Sequence, residues 1–171
     1  IAPVQRKEKT MREELRHYID TSMNSGTPTY EMLGDGISSL TEEMNPSEET
    51  KHYINMSSDS NNVKSYQRSF EADKEDCVED EIQKWLDKMV DDLPVGAKAK
   101  TSFVRLRIKD AVSGSAGTYK AIKVPCTVSV SSNGGDGGDY NHTVVSVKQC
   151  GDDVHGTFNV TTNTFTEGDT E

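Results

Sequence analysis

A chain of 171 residues has room for one domain, and with 32% hydrophobic and 6% aromatic residues its core must be small. Acidic side chains number 29 against 19 basic ones, a net charge of −10. That balance repels polyanions and excludes a simple nucleic-acid coat, which needs a positive footprint.

Residues 1–14 are charged and poor in apolar side chains, and read as an N-terminal arm with no signal-peptide core. "LRHYI" (15–19) and "HYINMS" (52–57) read as short strands, and the alternation in "NVKSYQRSF" (62–70) predicts a third. Between the first two lies residues 34–50, acidic, interrupted by Gly34, Gly36 and Pro46, and without an element of its own.

The period then changes. Val78, Ile82, Trp85, Leu86, Met89, Val90 and Leu93 fall on one stripe of a helix over 76–93, with Ile82, Trp85, Leu86 and Met89 as its packing residues. Asp76 and Glu79 suit a capping box, and Pro94 with Gly96 closes the helix. Asp91 and Asp92 oppose the helix dipole, so fraying is expected after Val90.

Strands and turns fill the remainder. In 102–109, Val104, Leu106 and Ile108 share one face, which leaves Arg105, Arg107 and Lys109 on a wet one. In 119–131, Ile122, Val124, Cys126, Val128 and Val130 share a face, and Pro125 calls for an edge or a bulge. Residues 142–148 and 156–165 add two more strands before an acidic tail, 166–171. The sum is a mainly β chain: a sandwich or barrel of two packed antiparallel sheets with one flanking amphipathic helix, occupying 15–165.

Chemical motifs are few. "GDG" (34–36) lacks the third glycine and the following helix of a dinucleotide fingerprint. "GGDGGD" (134–139) is one copy of a calcium unit that needs stacked repeats, so it reads as a flexible hairpin loop. The four histidines show no metal spacing, and nothing points to a catalytic site or a cofactor. Cys77, Cys126 and Cys150 are odd in number and widely spaced, which suits free thiols better than a disulfide framework.

The stretches "HYIDTS", "YEMLGDGISSLTEEMNPSEETKHYIN", "VKSYQRSF", "VEDEIQKWLDKMVDDLPVGAKAK" and "TSFVRLRI", followed by a Gly-rich β half, carry a resemblance. In order and organisation, residues 12–165 resemble the major tail protein of long-tailed bacteriophages, the subunit of the tail tube. The resemblance implies two packed β-sheets with a helix, hexameric rings and a stacked hollow tube in the virion, assembled in the host cytoplasm. Partners implied are other copies of the chain, tape-measure and tube-end proteins, and DNA that passes through the lumen without specific binding; no membrane is involved. It also implies that a long loop between early strands reaches a neighbouring ring. Gly34, Asp35, Gly36, Ile37, Leu40, Glu42, Glu43, Met44, Asn45 and Pro46 stand where that loop belongs. A tube of a contractile tail or secretion-like device, and a monomeric β-sandwich binding module, stay open beside this reading.

Overall fold

A computed structural model describes residues 7–168; residues 1–6 of the arm and 169–171 of the tail lie outside it. The elements are β1 (Leu15–Asp20), β2 (Tyr30–Met32), β3 (Ser47–Lys51), β4 (Ser60–Ser65), β5 (Ser69–Glu75), α1 (Glu81–Asp92), β6 (Lys100–Ala111), β7 (Thr118–Gly134), β8 (His142–Gln149), β9 (Val154–Asn159) and β10 (Thr164–Glu167). Two antiparallel sheets result, one of eight strands and a separate pair, β3–β4.

The large sheet turns on β7, whose 17 residues keep the apolar alternation read from the sequence. One edge of β7 pairs with β6, while the other pairs first with β9 and then with β8. The change of partner falls at Pro125, between Lys123, paired with β9, and Cys126, paired with β8. A proline has no N–H for a ladder, and here none is needed: its carbonyl accepts from the Cys150 N–H at 2.9 Å, in the connection between β8 and β9. Pro125 therefore sits inside a sheet, at a change of partner instead of the expected edge or bulge.

This change of partner lets the sheet fold on itself. The β5–β8 leaf packs against β1–β6, with Phe70 and Phe103 edge to face at 5.1 Å. Ile19, Val124, Cys126, Val128, Val145 and Val147 fill the space between. On the opposite face of β1–β6, Phe158 of β9 meets Tyr18 at 4.5 Å and Tyr30 at 5.8 Å. Residues 101–106 of β6 are consequently buried on both faces. Arg105, expected on a wet face, is 8% exposed, while Arg107 and Lys109 remain exposed. Alternation locates a wet face only where one side of the strand is solvated.

Three other local expectations change. Residues 52–57 form a turn joining β3 to β4, and 62–70 divides into β4 and β5. Residues 156–165 divide into β9 and β10, because the Asn159 side chain accepts from the N–H groups of Thr161 and Thr162 and turns the chain.

The helix starts later than expected. Asp76 accepts from Asn141 and Thr143 beside β8 instead of capping, and Asp80 is the N-cap, receiving the Ile82 N–H at 3.2 Å. Val78 is thus 94% exposed rather than part of the stripe. Lys74, 1% exposed, forms a close ion pair with Asp80 at 2.8 Å and donates to Gln83, tying β5 to the start of α1. Nor does the helix stop at Val90: it runs to Asp92 and closes on Leu93, whose left-handed backbone lets its N–H reach the Met89 carbonyl at 2.9 Å. Ile82, Trp85, Leu86 and Met89 lie in the main core.

Trp85→Ala removes the largest of these side chains. We expect a loss of about 3–5 kcal/mol in urea unfolding with the folded spectrum kept at low denaturant; a change below about 1 kcal/mol would show that α1 is not part of the cooperative core.

Candidate assembly surface

The segment 34–46 lies along the free edge of β5. Gly34 to Ile37 make a turn closed by the Ile37 N–H on the Gly34 carbonyl at 3.0 Å, which requires a positive φ at Gly36 (78°). A side chain on Gly36 would also collide with the Glu75 carbonyl, 2.6 Å from an added Cβ. Ile37 bridges Lys74, and Leu40 is buried in the core at 7% exposure. The Leu40 carbonyl accepts from Arg12 at 3.0 Å.

Glu42 is the anchor of this segment. Its side chain is 5% exposed and accepts from Arg68 at 2.9 Å and from His17 Nε2 at 3.1 Å. His17 and Arg105 are register partners on β1 and β6, so both point to the same side. Arg68 also holds Asp153 at 3.0 Å, and its N–H donates to the Gln149 side chain at 2.9 Å. Burial raises the Glu42 pKa, but the hydrogen bond and charge of His17, the charge of Arg105 and the Arg68 hydrogen bond outweigh it, and the carboxyl sits below its ordinary 4.5. Burial likewise holds the Arg105 guanidinium below its ordinary range, opposed by the charge of Glu42.

Just beyond this anchor the chain narrows into a neck. Glu43 and Ser69 exchange both backbone hydrogen bonds, at 2.7 and 2.8 Å. Gln67 N–H donates to the Met44 carbonyl, and the Asn45 side chain, on a left-handed residue, donates to Gln67 and Ser69. Glu43, Met44, Asn45 and Pro46 are exposed, as are Gly34 and Asp35. From the neck projects the β3–β4 hairpin, exposed along almost its whole length. Glu49 meets Lys64 across it at 3.2 Å and Lys51 on its own strand at 3.4 Å. Its tip carries Tyr53, 47% exposed, and Ile54 at 108%, while Val63 and Tyr66 are exposed on the returning strand side.

The structure thus divides the residues singled out in the sequence. Ile37, Leu40 and Glu42 are turned toward the body of the chain, and the projecting surface lies farther along, in 47–65. Sequence reading missed His17, Arg68, Gln149 and Asp153, which come from separate segments and share no spacing signal, and it placed Arg105 on a wet face. The "GGDGGD" stretch is the loop between β7 and β8, and among the described residues no group of three His, Cys, Asp or Glu could hold a metal. Among the described residues, no helix is long and apolar enough to cross a membrane. The three cysteines are free; burial pushes the Cys126 thiol up.

No family model matches the chain, and no curated protein matches it by sequence. Its fold, however, is shared with solved structures. A chain in the virion of a native gene transfer agent particle gives a TM-score of 0.59 at 8% identity, covering 86% of this chain and 98% of that one. The tail of an empty gene transfer agent particle, computed with helical refinement and C6 symmetry, gives 0.58 at 9% identity, covering 85% and 97%. An extracellular contractile injection system, at its sheath/tube terminator in the extended state, gives 0.53 at 8% identity, covering 87% and 97%. The chain has a tail-tube-like fold: mainly β, two antiparallel sheets and one flanking helix.

The depressed Glu42 pKa sets a pH dependence. Its contribution to stability is complete above 4.5 and is lost as pH falls through the lower, folded value. Glu42→Gln should cost about 3 kcal/mol at neutral pH by leaving buried cations unpaired. Its stability should also fall less steeply than wild type in urea titrations below pH 4.5. Parallel acid limbs in the two proteins would show that Glu42 is not the titrating anchor.

Proposed function

We propose that this chain is the repeating structural subunit of the hollow tail tube of a long-tailed phage. Rings of the chain, six copies each, stack into a conduit for DNA ejection in the virion, with tape-measure and tube-end proteins as further partners. One observation carries the reading: nearly the whole chain shares its fold with a component of a helically refined, C6-symmetric tail. A second supports it. The β3–β4 hairpin, a two-stranded sheet with water on both faces, is marginal by itself and gains stability from a partner. The likeness to a contractile injection system favours one alternative, the tube of a sheathed device, in which a separate sheath protein would coat the same filament.

The charge balance fits transport. Duplex DNA carries one charge per ~1.7 Å, so a basic wall would hold it by counterion release. Glu71, Asp73 and Glu75 alternate along the exposed face of β5, in register with Ser146, Val144 and His142 on β8. Lys148 stands at the far end, and Asp73 accepts from His142 at 2.8 Å. This acidic, small-residue face is our candidate for the channel wall.

Purified protein viewed by negative-stain microscopy should form hollow filaments of stacked rings; a chain that stays monomeric at high concentration, as a β-sandwich binding module would, refutes the assignment. Replacing 47–65 by a two-residue Asn-Gly turn should preserve the β-sheet circular dichroism and abolish long filaments. Isolated filaments should retain no duplex DNA at low salt. Tight retention that weakens steeply with salt would mean a positive channel and overturn the transport reading.

A further inference from the structure

We propose that the tip of the β3–β4 hairpin of one copy docks into the cleft between residues 11–16 and 32–40 of a second copy. This rests on the assembly reading above and adds to it a receiving surface.

The cleft has a volume of about 560 Å³, with Leu15, Met32, Leu33 and Ile37 on its walls and Arg12, Glu13 and Arg16 beside them. Met32, 46% exposed, leaves one wall open to a visitor. The hairpin supplies the matching chemistry. Ile54 is fully exposed, at 108% relative exposure, next to Tyr53. Asp59, the acid of the tip, keeps 66% of its side chain exposed even while it meets His52 at 2.8 Å. An apolar pair flanked by a carboxylate thus faces an apolar cleft with Arg16 at its rim, Arg12 being held by the Leu15 and Leu40 carbonyls.

The tip is also held away from its own body. The Glu42–Arg68 pair and the Glu43–Ser69 hydrogen bonds clamp the neck, and among the described residues the hairpin packs extensively on no other strand or helix. Tip and cleft are different surfaces, so the contact is heterologous and each copy that gives a tip still offers a cleft. Such a contact propagates into a ring or filament instead of ending at a dimer.

The test uses filaments of an Ile54→Cys/Met32→Cys variant in which Cys77 and Cys150 are replaced by Ser. Mild oxidation should yield a ladder of disulfide-linked multimers on denaturing gels, and either single-cysteine variant should yield none. Filaments that form without a ladder overturn the docking site and leave the tube reading standing. Wild-type protein that forms no filaments overturns both. Arg16→Glu or Asp59→Arg alone should raise the concentration needed for assembly about fivefold, as expected for one rim ion pair. The double charge reversal should restore it, and additive losses in the double variant would refute the pairing.

Discussion

Glu42 gathers side chains that belong to distant parts of the chain: His17 from β1, Arg68 from the start of the β5 segment, Arg105 from β6, and through Arg68 also Asp153. Burying a carboxylate costs several kcal/mol, and neighbouring cations and hydrogen bonds return that cost only when geometry is good. The geometry here is set by β-sheet register, since His17 and Arg105 are partners across β1 and β6. The cluster therefore reports that the large sheet is correctly assembled, and only then does segment 34–46 have a place to dock. The neck and its projecting hairpin follow from that docking.

The same molecule holds two regions of very different stability. Between the folded leaves, the side chains of Phe70, Phe103, Trp85, Leu86 and Val147 are almost fully removed from water. Each such side chain contributes roughly 1.5–3 kcal/mol relative to exposure. The hairpin has no comparable core; its strands are joined by backbone bonds and the exposed Glu49–Lys64 ion pair. A chain with so little apolar content concentrates most of it in one folded sheet and leaves Tyr53 and Ile54 among its exposed apolar residues. That distribution fits the proposed assembly, in which the arm gains a partner that the body does not need.

The strand β7 shows how much of the body could be read in advance. Its face of Ile122, Val124, Cys126, Val128 and Val130 lies against the main core, as the alternation indicates. The meaning of Pro125 in its middle was not readable, because an edge, a bulge and a change of partner all satisfy a missing N–H. Arg105 differs in the same way: alternation separated it from Val104 and Leu106, but whether its side faces water or Glu42 depends on a leaf folded over it. The helix was visible from its stripe, while its start was not, since Asp76 and Asp80 are equally good caps locally and the choice is made by Asn141 and Thr143.

For the candidate surface, the sequence by itself determined that a long acidic segment between early strands carries apolar residues and no regular pattern. It also determined the net charge, the mainly β class and the single amphipathic helix, because these depend on composition and on periods of two and 3.6 residues. Only the tertiary structure decided that Leu40 and Glu42 turn inward and that the arm begins beyond Pro46. Burial and ion pairing depend on which strands meet, and partners such as Glu42 and Arg68, 26 residues apart, leave no local signature of their meeting.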